Sequence, residues 1–403
     1  MDLKSGYPFW PIRNGLMHAF PRLSEDLRCE VAVIGGGISG ALIADELAAH
    51  GHDVAVVEQR DIGWGSTAAS TALLQYEIDT HLSDLCRQYG EDQAALAYRT
   101  CADAIPALQA IARELRDVDF QRCSSLYFAS KPAHVPVLRN EAALRQRHGL
   151  KLRWLDGQAL AQDYGLKAPG AILSACAATV DPYRLTLRLL ARLQRRGVGV
   201  YDRTHIEHLR ATSRSVELRT GEGIRIRAEH AVIAAGYAGQ QWIDRRLARN
   251  RSSYAFVTDP LEAGQLGRLG KTLVWESARP YLYLRATGDG RLIVGGCDDA
   301  VDVPARRDRR VESRARKLVR KIGERFPGLQ LQPAFAWAGT FAETADGLPW
   351  FGAHPQYGRR VQFAMAYGGN GITYSMIGAG LLRAAIERRP HPLARLFSFE
   401  RAG

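Results

Sequence analysis

The sequence predicts an α/β fold, α+β overall, and three observations carry that reading. A short apolar run breaks into a glycine-rich turn and a helix near the N-terminus, further apolar strand-like runs recur far along the chain, and a hairpin-like pattern occupies residues 273–295. A length of 403 residues, 46% of them hydrophobic and 24% charged, gives room for two domains sharing a large core.

The first element is a strand at 31–34, followed at once by Gly35-Gly36-Gly37-Ile38-Ser39-Gly40. Gly35, Gly37 and Gly40 satisfy the spacing G-x-G-x-x-G: the first permits a tight turn, the second lets backbone approach a pyrophosphate, and the third lets helix and strand pack closely. A helix over 41–50 then aims its positive end at that pyrophosphate, and Ile38 and Ser39 in the turn before it are grouped with the glycines as cofactor contacts. Gly51 ends the helix, residues 54–57 form a second strand, and Glu58 follows, placed to accept hydrogen bonds from ribose hydroxyls. Gln59 and Arg60 adjoin that carboxylate. The next stretch is rich in small and hydroxylated residues, which suits a long cofactor lying along the backbone and favours FAD over a nicotinamide. Ser66, Thr67, Ser70 and Thr71 offer hydroxyls to phosphate and ribitol oxygens, while Ala72, Leu73 and Leu74 edge an isoalloxazine ring.

The formal charge is +12, and much of the excess is local, with ten Lys or Arg against three acidic residues over 306–325. Val311, Ala315, Leu318, Val319, Ile322 and Phe326 recur there at helical spacing, so the stretch reads as an amphipathic helix with a basic, solvated face. Six scattered cysteines with no C-x-x-C pair fit reduced, buried thiols better than a disulfide framework or a zinc site, and no metal centre is expected. No apolar run approaches a membrane span and residues 1–11 lack the apolar core of a secretory signal, so the expected location is cytoplasmic.

With these motifs the chain resembles the D-amino-acid oxidase-like superfamily of FAD enzymes, the group that holds glycine oxidase, sarcosine oxidase and gamma-glutamylputrescine oxidoreductase. Three further segments carry the resemblance. Val180-Asp181-Pro182-Tyr183 enters a helix with Asp181 as N-cap and Pro182 in the first position. A strand over 231–234 ends at Ala235 and Gly236, which are grouped with Ile206 as cofactor contacts. Near the C-terminus a turn, Asp346-Gly347-Leu348-Pro349, precedes Gly369-Asn370-Gly371-Ile372-Thr373 at the start of a last helix; the resemblance implies that this helix start faces the flavin N1 and C2 carbonyl edge.

The resemblance implies a Rossmann-like FAD-binding domain with an inserted, mainly antiparallel-sheet substrate domain. The FAD domain is assigned to 28–80, 155–240 and 335–403, the substrate domain to 81–154 and 241–334, and 1–27 is an N-terminal extension. It further implies a small amine or amino acid as substrate, with hydride transfer from the carbon next to its neutral amine nitrogen onto flavin N5, giving an imine. Tyr254, Tyr281, Tyr283, Arg285 and Tyr374 are the candidate substrate-lining residues, and alternation along one strand puts Tyr281, Tyr283 and Arg285 on a shared face. The aromatic segment 7–11 is expected to pack near the active-site entrance.

Three departures from the relatives bear on chemistry. Phe341 stands shortly after Trp337-Ala338-Gly339-Thr340, where glycine oxidase-like members place a carboxylate-clamping arginine. Ile293 stands where sarcosine oxidase-like members place a lysine, leaving the electron acceptor open between oxygen, a quinone and another protein. No cysteine adjoins Gly339 and Thr340, so FAD is expected to be non-covalent. The alternatives are a tRNA-modifying enzyme of the same superfamily, a C–O dehydrogenase acting on hydroxy acids or polyols, and a non-catalytic flavin-binding module.

Overall fold

A computed structural model describes residues 2–262, 264–300 and 302–402. Strand Leu27–Ile34 is buried over residues 31–34 and strand Val54–Val57 throughout, as parallel strands covered on both faces must be. They pair with each other, and the sheet extends through Arg225–Ile233 and Val361–Met365 on one side and Gly199–Tyr201 on the other, all parallel. Antiparallel Trp350–Ala353 and the hairpin Ile206–Ala211/Val216–Thr220 complete eight strands. The helix after the glycine turn is Ile38–Ala49, three residues earlier than its expected start, because Gly37 itself takes the N-cap position.

A second, nine-stranded sheet is antiparallel except for one pair, Thr272–Glu276 with Gln121–Phe128. The expected strands near 273, 281 and 291 are Thr272–Glu276, Leu282–Ala286 and Leu292–Asp299. The turn through Gly290, whose φ is 78°, joins the last two as an antiparallel pair. Gly170–Thr179 and Phe335–Glu343, grouped by sequence with the FAD segments, pair in this second sheet. The chain therefore changes sheets at both places.

The largest core lies where helices Ile38–Ala49, Pro182–Arg195 and Gly371–Ile386 cover the first sheet and helix Glu91–Leu115 packs on the latter two and on strands Leu73–Gln75 and Gly170–Thr179 of the second, and a separate core joins the second sheet to helix Val311–Arg325. The N-cap at Asp181 forms as its sequence implies, with its carboxylate accepting from the Arg184 N–H at 2.9 Å. The basic stretch is two helices, Pro304–Asp308 and Val311–Arg325, and its charge is less solvated than expected. Arg307 is fully buried and donates to the carbonyls of Asp2 and Lys4, while Arg310 and Arg314 both pair with Asp299.

Candidate functional site

A cavity of about 610 Å³ runs between the two sheets, bounded at one end by Glu58 and at the other by the aromatic side chains of the second sheet. Its first wall is the glycine turn. Gly35 has φ +121°, and a Cβ there would overlap the carbonyl oxygen of Ala234 on the neighbouring strand end. Gly37, Ile38 and Ser39 line the cavity at the start of helix Ile38–Ala49, with the Ile38 N–H donating to Thr67 Oγ1 at 3.0 Å.

Glu58 closes the end of strand Val54–Val57, and its two oxygens accept from the N–H groups of Gly36 (2.8 Å) and Arg60 (3.0 Å). A carboxylate has about four acceptor positions, so two remain for a ligand's hydroxyls. Burial pushes its pKa up while those N–H groups pull the other way. Gln59, Arg60 and Ile206 share this end.

The loop segment from Ser66 to Leu73, a single helical turn Ser66–Ala69 running into strand Leu73–Gln75, forms the long wall, and Ser66, Thr67, Ser70, Thr71, Ala72 and Leu73 all border the cavity. Ser66 Oγ is buried without a hydrogen-bond partner, an arrangement that calls for a ligand acceptor or donor at that point. Three side chains from three separate elements hold consecutive carbonyls of this loop. Trp337 Nε1 donates to Ala69 at 2.9 Å, Trp10 Nε1 to Ser70 at 2.7 Å and Arg285 Nε to Thr71 at 2.6 Å. Opposite stand Ala235 and Gly236, and Gly369, Gly371 and Ile372 at the start of helix Gly371–Ile386.

Six expected residues lie off the cavity wall. Gly40 packs beneath the turn, where a Cβ would overlap the Gly35 carbonyl oxygen, so it contributes close packing alone. Leu74 is fully buried in the core beside Leu73. Asn370 and Thr373 turn inward and donate to the carbonyls of Glu77 and Gln75, tying the helix start to strand Leu73–Gln75. Tyr374 donates to the Gly347 carbonyl at 2.7 Å and fixes the neighbouring turn. Arg285 shares the strand face of Tyr281 and Tyr283, but that face passes from the cavity to beneath the loop, where the guanidinium also donates to the carbonyls of Val180 and Ala286. Its burial lowers its pKa to about 10.

At the far end Tyr254, Tyr281 and Tyr283 border the cavity, although the Tyr254 hydroxyl turns away to Asp299 at 3.2 Å. A Cβ on Gly295 would overlap the Tyr283 ring, so this strand glycine makes room for it. Phe341 borders the cavity, whereas Ile293 is fully buried in the core. Sequence reasoning missed Asp79, Tyr237, Trp275 and Asp298, all on this wall. The carboxylate of Asp79 accepts from the Gly369 N–H at 2.8 Å. Burial raises the pKa of Asp79, and raises that of Asp298 to about 6, with the nearby Asp79 adding to the shift in Asp298.

The residues present fit FAD: an extended cavity, a glycine turn where side chains have no room, a carboxylate with free acceptor positions, an unpartnered hydroxyl and two helix starts on the walls. No helix among the described residues is long and apolar enough to cross a membrane, and no described cluster could hold a metal ion.

The chain is 27% identical over 384 residues to gamma-glutamylputrescine oxidoreductase of Escherichia coli (strain K12), covering 92% of this chain and 87% of that one. It is 27% identical over 371 residues to glycine oxidase of Geobacillus kaustophilus (strain HTA426), covering 90% and 94%. The crystal structure of glycine oxidase from Geobacillus kaustophilus superimposes with a TM-score of 0.76 at 22% identity, covering 92% of this chain and 98% of that one. The family model DAO, FAD dependent oxidoreductase, matches residues 30–385, and with the glycine turn, Glu58 and the cavity in place the chain belongs to that family of FAD-dependent oxidoreductases.

Proposed function

We propose that this enzyme oxidises the C–N bond of a small amine to an imine, with FAD held non-covalently. The observation that carries the reading is the continuity of one cavity from Glu58, past the start of helix Gly371–Ile386, to the aromatic wall at Tyr281 and Tyr283. Bound FAD supplies a two-electron acceptor that takes a hydride at N5. The substrate carbon gives up the hydride and its nitrogen a proton; water then adds to the imine, releasing a carbonyl compound and ammonia or a smaller amine.

The chain's own contributions are orientation, exclusion of water and placement of partial charge. The start of helix Gly371–Ile386 has no side-chain cap and borders the cavity at Gly371 and Ile372, so the helix's positive end favours negative charge there. The rings of Tyr281 and Tyr283 wall off solvent beside the reacting carbon, and burial raises the Tyr283 pKa to about 12, so it stays a neutral hydrogen-bonding phenol. Similarity to an amine-named and an amino-acid-named relative supports a nitrogen donor. The described lining contains no cysteine, which supports non-covalent retention.

Anaerobic mixing of the purified yellow protein with primary and secondary amines, imino acids and hydroxy acids tests this. Bleaching of the visible bands by an amine is the expected result. Bleaching by hydroxy acids alone, or by none of these compounds, would overturn it, and admitting air afterwards reports whether oxygen is the acceptor.

A further inference from the structure

We propose that the substrate carries a second cationic group, which docks on Asp79 and Asp298 within a cage of Tyr237, Trp275, Tyr281 and Tyr283. The preferred donor is then a diamine or an amine with a distal cation, and not an α-amino acid. This inference rests on the amine-oxidation reading and narrows it.

Four observations converge on it. Asp79 and Asp298 both border the cavity. The Asp298 carboxyl takes a hydrogen bond from the Ser253 side chain, but its Oδ1 is shut off from solvent and has no partner, so one buried acceptor atom on the cavity wall has its hydrogen bond unmade. The cage is aromatic, with Trp275 stacked at 3.7 Å on Tyr127 and set edge-on to Tyr281 at 5.9 Å; ring faces attract a cation and are indifferent to a carboxylate. Finally, no described lysine or arginine borders this end. Arg60, the cationic side chain on the lining, lies beside Glu58. The guanidiniums of Arg251 and Arg279 are engaged by Glu343 at 3.0 and 3.8 Å, and Arg279 also donates to the Asp79 backbone carbonyl at 2.8 Å and lies over the Tyr281 ring.

A carboxylate entering here would meet two acids and Phe341, with no bidentate partner. An ammonium would meet two acceptors and several ring faces. Its arrival would draw Asp298 into the ionised form, replacing the unmade hydrogen bond with a charge-assisted one. The reacting amine at the other end stays neutral, since the two nitrogens sit in different surroundings.

The test uses the flavin-loaded enzyme and three compounds of equal chain length: diaminobutane, butylamine and gamma-aminobutyrate. Binding is read by calorimetry and reduction by anaerobic bleaching. Diaminobutane is expected to bind tighter than butylamine by roughly tenfold or more, as for a buried charged hydrogen bond, with gamma-aminobutyrate weakest. In Asp298→Asn the ratio between diaminobutane and butylamine should collapse toward unity. Because it is a ratio within one variant, a general loss of activity leaves it readable, and the wild-type series stands without the variant.

Equal binding of diaminobutane and butylamine, tighter binding of gamma-aminobutyrate, an unchanged ratio in Asp298→Asn, or no binding by any of the three would each overturn the proposal. If butylamine binds as well as diaminobutane and both bleach the flavin, amine oxidation stands and cation selectivity falls. If diaminobutane binds through Asp298 yet bleaches nothing, cation selectivity stands and amine oxidation falls.

Discussion

Asp298 shows how one residue's burial trades stability for a binding role. Its pKa, raised to about 6 from the ordinary 3.8, means that the folded chain holds the proton more tightly than the unfolded chain does. The stability this group contributes is therefore fully present below the ordinary value and is lost as pH rises through about 6. At pH 8 the buried carboxylate costs up to about 3 kcal/mol. Asp298→Asn keeps the shape and removes the charge, so it should melt higher than the wild type at pH 8, and the gap should close as the pH approaches 4. Parallel melting curves of the flavin-loaded proteins across that range check this, and a gap independent of pH would refute it. Residues of this kind were the least legible in the sequence. Gly35, Gly37 and Glu58 could be read because fixed spacing ties their chemistry to one short unit. Trp275 and Asp298 lie on two strands, and Asp79 in the bend after strand Leu73–Gln75, and their convergence depends on sheet order, which spacing does not encode. Arg285 failed for a related reason: strand alternation gave its face correctly, but where along that face the cavity stops is a property of the loop laid over it.

Among elements, the loop Ser66 to Leu73 shows why a polar, glycine-poor segment can serve as a rigid wall. Its composition predicted contact with a cofactor, and its residues border the cavity. What composition could not reveal is that Trp10, Trp337 and Arg285, from distant parts of the chain, hold three successive carbonyls of one segment. Arg285→Met keeps much of the stem's packing and leaves the carbonyls of Thr71 and Val180 without their donor. Each buried acceptor left unpaired costs about 1–3 kcal/mol, offset in part because a buried cation is removed. The expected result is weaker flavin retention, read as a lower temperature of flavin release by fluorescence. Unchanged release in a folded variant would show that the loop needs no such clamp. The strands and helices themselves were largely legible from apolar periodicity, including Val54–Val57 and the hairpin at Gly290. The break between Pro304–Asp308 and Val311–Arg325 was not, because Arg307 leaves the solvated face to satisfy backbone carbonyls near the N-terminus.

At the scale of the whole molecule, the residues before the first strand tie its parts together. The Leu3 carbonyl accepts from the Thr340 N–H at 2.8 Å and the Ser5 N–H donates to Ala338 at 3.0 Å, which extends the edge of the second sheet, while Leu3 itself borders the cavity. Helix Phe9–Asn14 buries Phe9 and Trp10 against the cofactor loop, and Asn14 donates to Asp181 at 2.7 Å, the N-cap of helix Pro182–Arg195. This places the aromatic segment on the cofactor wall and not simply at an entrance. Burial of Leu3, Phe9 and Trp10 contributes roughly 1.5–3 kcal/mol each, a large share of the 5–15 kcal/mol typical of a whole protein. Removing residues 1–15 would also strip the buried Arg307 guanidinium of the Asp2 and Lys4 carbonyls. The truncated chain is therefore expected to lose flavin at a lower temperature and to unfold earlier by circular dichroism. Trp10→Phe separates the two effects, since it retains most of the apolar burial and loses only the N–H to Ser70, about 1 kcal/mol. In that variant flavin release should shift while the secondary-structure transition of the flavin-free protein barely moves. If both transitions shift together in Trp10→Phe, the segment acts as a general clasp; if the truncated chain keeps its flavin at the wild-type temperature, the segment takes no part in holding the cofactor wall.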